Sequence, residues 1–316
     1  MPVAQKVHVD KMLTNISVGY KNEDFIADEI LKVVPVQKQS DRYYVYGKEM
    51  FRVTDDRRAP GTSANEVDWS LSDDTYFCEG HAQRHFVPDE AIQNADEEFD
   101  LEAEATEFVT NKILLNKENF AAQKLLDSDN YDSDLVVATG GSGQPAKWSD
   151  YENSDPLALI EEMRVAVHQK SGLPVNTLIL SQPVYSKLRI HPKLVSVFKN
   201  TDISIVPLNV MAELFEVDRI LIGKALKSTA ITEDGNDPLG YIWGKSAILA
   251  YIPPRPAKKT PALGYQFQWV RGGQGAVQVT KWYDQDRKAT IIEAEQYYDL
   301  KIVSNVAGVL FPDVVA

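Results

Sequence analysis

The chain has a single cysteine, Cys78, among 316 residues. That excludes an intrachain disulfide and fits synthesis in a reducing cytoplasm. It has no run of about 18 apolar residues, so no membrane span is expected. The start, Met1-Pro2-Val3-Ala4-Gln5-Lys6, lacks the apolar core of a signal peptide. Basic residues are outnumbered, with 33 Lys and Arg against 46 Asp and Glu, a net charge of -13. A chain this acidic is a poor candidate for tight nucleic-acid binding, which needs several phosphate-neutralising cations. Catalytic signatures are also missing: there is no Gly-x-Ser-x-Gly elbow and no paired His of a metalloprotease. The glycine-rich Gly140-Gly141-Ser142-Gly143-Gln144-Pro145 lacks the Lys-Ser/Thr ending of a phosphate loop and reads as a surface loop. No cofactor motif is present. A glycosidase-type carboxylate pair stays open on sequence alone, but nothing points positively to an enzyme.

What is present begins with a ribbon. Residues Asp41 to Gly80 read as two strands, Tyr43–Val53 and Glu66–Ser72. In the second, alternation puts Val67, Trp69 and Leu71 on one face. The polar, turn-rich segment from Thr54 to Asn65 lies between them. An isolated two-stranded ribbon is marginally stable in water, so its apolar face needs a neighbour. The first strand and tip carry Arg42, Lys48, Arg52, Arg57 and Arg58 against Glu49, Asp55 and Asp56.

The acidity is concentrated elsewhere. Asp73 to Glu107 holds twelve Asp or Glu and one basic residue, Arg84, leaving only about -2 for the rest of the chain. Such a run is either a solvated face or a docking surface for a basic partner. It leads into the longest helical pattern, about Glu97 to Leu126, with no Gly or Pro. That length spans roughly 45 Å. Leu101, Ala105, Phe108, Leu115, Ala122 and Leu126 form its expected apolar stripe. Asp96, Glu97, Glu98 and Asp100 cluster at its start, where the helix dipole favours negative charge.

The other elements are shorter. Asn22-Glu23-Asp24 could cap a helix containing Phe25, Ile26, Ile30 and Leu31, ended by Pro35. The rest of residues 1–39 reads as an extended arm. Pro88–Ala95 holds about one helical turn. A short strand is expected at Leu135–Ala138. A helix opens at Ser154-Asp155-Pro156 and stops at Gly172. Strand Thr177–Leu180, helices Pro183–Ile190 and Leu208–Phe215, and strand Arg219–Ile222 follow as a small α/β unit. Strands at Tyr241–Ile252 and Gly264–Val270 continue it. From Ala276 the chain is strand-rich, and the apolar Val309-Leu310-Phe311 is expected to tuck into a sheet.

Cys78, His81 and His85 are the one grouping with metal-ligand chemistry, with Asp89 as a fourth donor. On an extended strand Cys78 and His81 point to opposite faces, so the plain reading is a strand followed by a turn. His168 and His191 read as surface or packing residues. Arg271-Gly272-Gly273-Gln274-Gly275 reads as a loop.

In order, these elements are an extended arm, a ribbon, a long helix, a small α/β unit and a return to sheet. Several stretches carry a resemblance: Tyr43-Tyr44-Val45-Tyr46 leading to Arg57-Arg58-Ala59-Pro60-Gly61-Thr62; Ala105-Thr106-Glu107-Phe108-Val109-Thr110; Pro174–Ser181 running into Leu188-Arg189-Ile190-His191-Pro192; Val217–Gly223; and Tyr297–Val303. Together they resemble the major capsid proteins of tailed bacteriophages, over nearly the whole chain.

The resemblance implies an α+β, Hong Kong 97-type capsid fold: an N-terminal arm (1–40), an extended loop (41–80), a peripheral domain (81–151 and 277–316) with the spine helix, and an axial domain (152–276). It implies a structural protein without cofactor. It would assemble in the host cytoplasm, as hexamers and pentamers, into an icosahedral virion head enclosing double-stranded DNA. The implied partners are further copies of itself and portal, scaffolding and decoration proteins. Some relatives carry a cleaved N-terminal scaffolding segment; the native-looking Met1 favours its absence here, with scaffolding supplied separately. Arg52, Arg57, Arg58 and Trp69 of the ribbon, facing Asp96, Glu97, Glu98 and Asp100 of a neighbour, are the expected intersubunit contacts. The rival expectations are an encapsulin-like nanocompartment shell and a soluble hydrolase using clustered carboxylates.

Overall fold

The computed structural model describes residues 8–9, 25–46, 52–58, 60–64, 66–67, 71–94, 100–197, 205–229, 238–257, 260–271 and 277–316. In chain order the elements are β1 (His8–Val9), α1 (Ala27–Ile30), β2 (Lys32–Val36), β3 (Ser40–Tyr46), β4 (Leu71–Phe77), β5 (Glu79–Pro88), α2 (Asp89–Asn94) and α3 (Leu101–Leu125). Then come α4 (Pro156–Ser171), β6 (Thr177–Ser181), α5 (Gln182–Leu188), α6 (Pro192–Ser196), α7 (Leu208–Leu214), β7 (Arg219–Gly223), β8 (Leu226–Ser228), β9 (Leu239–Tyr241) and β10 (Ala247–Ala250). The last are β11 (Gly264–Trp269), β12 (Gln278–Asp284), β13 (Ala289–Ile302) and β14 (Gly308–Phe311).

Two sheets organise these elements. In the larger, the strand order is β1-β12-β13-β11-β2, and β5 also pairs with β13. The long β13 therefore carries β5 along one edge and β12 followed by β11 along the other. The smaller sheet has the order β14-β10-β6-β7. Its strands β6, β10 and β14 are buried at every position because both faces are covered. Leu178, Leu180, Leu249, Val309 and Phe311 enter one core with α4 and Trp148. Ile179, Ile248, Ala250 and Leu310 enter another with the C-terminal half of α3.

Side-chain caps set the starts of the long helices. Asp100 Oδ1 accepts from the N–H groups of Glu102 and Ala103, so α3 starts at Leu101 and runs about 38 Å. Residues 96–98 lie outside the described residues. Asp155 caps α4, Pro156 occupies its first turn, and Gly172 ends it at φ 70° in the left-handed region. The buried face of α3 keeps Ala105 and Ala122 of the expected stripe, with Leu101, Leu115 and Leu126 partly buried, but not Phe108. Ala105, Val109, Ile113, Ala121, Ala122 and Leu125 are buried, whereas Phe108 is 51% exposed. Small residues let the helix lie close on β5 and β13, and the Phe108 ring is pushed aside against His85.

Two further expectations are corrected. The strand at 135–138 is a 3-10 turn, Ser133–Leu135, capped by Asp132, with one bridge from Val136 to Leu310. Pro35 does not end the N-terminal helix; α1 stops at Ile30, and Pro35 lies in the edge strand β2, where its missing N–H is tolerated. Strand pairing also joins segments on either side of residues 152 and 276. β11 pairs with β13 and β2 in the larger sheet, and β14 pairs with β10 in the smaller. The C-terminal Val309-Leu310-Phe311 is fully buried, as its apolar sequence requires.

Candidate intersubunit surface

The ribbon exists, shifted toward its base. β3 and β4 pair from Ser40↔Phe77 to Tyr46↔Leu71, whereas the described residues 52–58, 60–64 and 66–67 form no strand. The base finds the neighbour its apolar face needs within the same chain. Tyr43 and Tyr76 are buried on Phe267 of β11, with ring centroids 5.2 and 4.7 Å away. Asp73 and Asp74 have low strand propensity, but here each has a partner. Arg42 pairs with Asp73 at 3.0 Å, and the Tyr43 hydroxyl donates to Asp74 at 2.6 Å. That bond holds the Asp74 carboxyl below its usual range, and burial raises the Tyr43 phenol. The Phe77 N–H donates to Asp299 Oδ2 at 3.0 Å, tying the base to β13.

The outer segment is bare. Arg52, Arg57 and Arg58 are exposed, and none has an ion-pair partner among the described residues. Val53 is 97% and Val67 73% exposed. Trp69 lies outside the described residues, as do Asp96, Glu97 and Glu98. Asp100 is exposed and occupied as the α3 cap. The acidic run is not one surface. Asp89 accepts from the Tyr283 hydroxyl at 2.6 Å, Glu102 pairs with Lys281, and Asp73 and Asp74 belong to the ribbon.

A buried carboxylate escaped the sequence reading. Glu118, on the inner face of α3, is 1% exposed. It accepts from the N–H groups of Ile26 (3.1 Å) and Ala27 (2.8 Å) and from Trp243 Nε1 (2.7 Å). Its neighbour Lys117 pairs with Asp28 at 2.7 Å. Burial pushes the Glu118 carboxyl above its usual range, against the pull of the three N–H donors. Glu118 thus joins the entry to α1, the spine helix and the turn before β10. Its donors lie 92, 91 and 125 positions away, so no local pattern marks it.

The other candidate chemistry is structural. Cys78 is buried, and its thiol donates to the Phe267 carbonyl. His81 stacks on Tyr298 at 4.2 Å, and His85 meets Phe108 edge-on. Among the described residues no group of three His, Cys, Asp or Glu is placed to hold a metal. His191 sits 2.9 Å from the Ser154 hydroxyl. Its Nδ1 accepts the Lys193 N–H, which places the ring proton on Nε2, facing Ser154. The Ser154 hydroxyl in turn donates to the Asp150 carbonyl. A nucleophilic serine needs the reverse polarity; this pair anchors a loop to the start of α6. The Gly140–Pro145 loop is a turn with no helix behind it.

No protein-family model matches the chain. It is 32% identical over 247 residues to the major capsid protein of Pseudomonas phage JBD67, covering 77% of each chain. It is 29% identical over 248 residues to that of Burkholderia phage BcepMu, covering 78% of this chain and 76% of the relative. Among solved structures, a phage-related protein from Bordetella bronchiseptica RB50 superposes with a TM-score of 0.77 at 27% identity, covering 98% of both chains. The capsid of a native GTA particle shares the fold, with a TM-score of 0.60 at 11% identity over 98% of this chain and 94% of the other.

Proposed function

The chain belongs to the phage major capsid proteins and is a capsid shell protein of the Hong Kong 97-type fold; on that premise we propose that its copies close, as hexamers and pentamers, into an icosahedral head around double-stranded DNA. The observation that carries this reading is the bare outer ribbon. Three guanidiniums without ion-pair partners among the described residues and two exposed valines project from a base that is firmly held. A segment of that composition is complete only on a second molecule.

In this reading the ribbon is the extended loop and residues 1–40 the arm. α3 with the larger sheet is the peripheral part, and the smaller sheet with α4 to α7 is the axial part. The division follows the sheets, so β11 goes with the first and β14 with the second. Arg52, Arg57, Arg58 and Trp69 of one copy face acidic groups of the next, with Asp96, Glu97, Glu98 and Asp100 among the acceptors. Exposed pairs contribute only about 0–1 kcal/mol each. Repeated through a shell, such weak contacts set geometry and allow misplaced subunits to leave. A net charge of -13 also suits a wall that does not grip phosphate during DNA entry and exit.

Portal, scaffolding and decoration proteins complete the proposed set of partners in the virion, with assembly in the host cytoplasm. Expression of the chain should yield shells, tubes or capsomer rings by negative-stain microscopy, and heads from infected cells should hold nuclease-resistant double-stranded DNA. Particles filled with a protein cargo would favour the nanocompartment instead.

A further inference from the structure

Residues 25–36 form a strap across the joint between the two sheets. Its first half holds α1, a single turn from Ala27 to Ile30. One isolated turn does not hold itself in water, and its N-cap residue, Ile26, has no side-chain oxygen to cap it. The acceptors come from 92 and 91 positions away, because Glu118 of α3 takes both the Ile26 and the Ala27 N–H groups. Asp28 pairs at 2.7 Å with Lys117 of α3, which is almost fully buried. The Glu29 carbonyl accepts from Arg219 of β7 at 3.2 Å, and its carboxylate lies 3.7 Å from the same guanidinium. Arg219 is tied in turn to Thr177 of β6 at 3.3 Å. The second half is β2, which adds in parallel to the edge of β11 over five residue pairs.

The strap thus reaches the spine helix through Lys117 and Glu118, the smaller sheet through Arg219, and the larger sheet through β11. Beneath it, Ile26, Ala27, Ile30 and Leu31 share one core with Ile179 and Ile248 of the smaller sheet and with Tyr298 and Leu300 of the larger. Apolar contact is non-directional, so it resists separation of the sheets more than sliding between them. Hydrogen bonds and ion pairs depend on distance and angle, and the strap supplies them on both sides of the joint.

We infer that residues 25–36 are a clasp on this joint, with Glu118 as its catch. Docked, the clasp holds the smaller sheet at one angle to the larger. Undocked, the two sheets turn against each other by shear. A turn without stability of its own is either docked or melted, so the clasp opens as a unit. In a shell, one chain sits in five-fold and six-fold surroundings, and a joint that can be released and locked again serves both. That use rests on the shell reading above; the clasp itself does not.

The test uses the full chain before assembly. Spin labels at Lys187→Cys on α5 and Gln285→Cys on the β12–β13 turn report the angle, both positions being exposed and Cys78 buried. One narrow distance distribution is expected in this labelled background, and Glu118→Gln should broaden it or add a second distance. Amide exchange across residues 26–31 should rise about tenfold in that variant, equivalent to roughly 1.4 kcal/mol of easier opening. If Glu118→Gln does not fold, Asp28→Asn with Glu29→Gln leaves the buried catch in place and should broaden the distances in the same direction. Unchanged distances in every variant that folds, with or without faster exchange, overturn the clasp. Particles of mixed size from a folded variant, beside uniform wild-type shells, support its use in assembly. No shells from the wild type overturn that use and the shell reading, while the distances still decide the clasp.

Discussion

Trp243 Nε1 donates to Glu118 Oε1 at 2.7 Å, joining the turn before β10 to the inner face of the spine helix. The same oxygen accepts from the Ile26 N–H, and the other oxygen from Ala27. Three separate parts of the chain are thus held by one carboxylate. Gly223 of β7 packs directly under the Trp243 ring, with no room for a Cβ. The staple depends on both charge and close approach.

Glu118→Gln places an amide NH2 against one of three buried N–H donors. It should destabilise the subunit by about 1–3 kcal/mol, the usual cost of an unsatisfied buried polar group. Urea unfolding followed by tryptophan fluorescence measures it. A change within error would mean the donors find other acceptors. Gly223→Ala should cost about 1–3 kcal/mol by overpacking against Trp243.

Phe267→Ala removes the ring on which Tyr43 and Tyr76 rest. A loss of about 3–5 kcal/mol is expected for a fully buried Phe. Limited proteolysis should then cut between Ser40 and Phe77 faster than in the wild type. Equal cutting rates would show that the ribbon base is held by its backbone bonds alone.

Asp74 adds a pH dependence whose sign follows from its environment. Its folded-state pKa is depressed, first by the Tyr43 hydroxyl and then by the Thr75 N–H. The stability it contributes is therefore present above the usual carboxylate pKa of about 4 and lost as pH falls through the folded value. Asp74 is mostly exposed, so the effect is small. Asp74→Asn should flatten the decline of stability in that acid window, read from denaturation midpoints at a series of pH values. An unchanged slope would count against the bond.

Arg57→Glu with Arg58→Glu should leave the subunit's melting temperature within about 2 °C of wild type, because exposed side chains contribute little to the fold. Circular dichroism melts check this. A large loss would show that the tip supports its own subunit rather than a neighbour.

Much of the fold was legible because its signals are local. Asp155, Pro156 and Gly172 bound α4 within a residue of the expected limits, and Thr177–Ser181 reads directly as a buried strand. The spine helix was legible as a helix, and its inward face in part. A pattern of apolar residues counts Phe108 as core and Glu118 as surface, and both assignments are reversed by tertiary packing. The ribbon was legible as a hairpin with a shifted register. Asp73 and Asp74 argue against a strand until their partners on β3, Arg42 and Tyr43, are seen. Its anchor, Phe267, is 191 positions from Tyr76, beyond any sequence window.

The central claim is that this chain builds a shell by laying its ribbon on a neighbour, and a cryo-electron microscopy reconstruction of the assembled particles tests it most directly. An icosahedral shell of hexamers and pentamers is predicted, with density for residues 52–58 crossing from one copy to the next. Compact monomers under every assembly condition, or a shell in which each ribbon folds back on its own subunit, would contradict it.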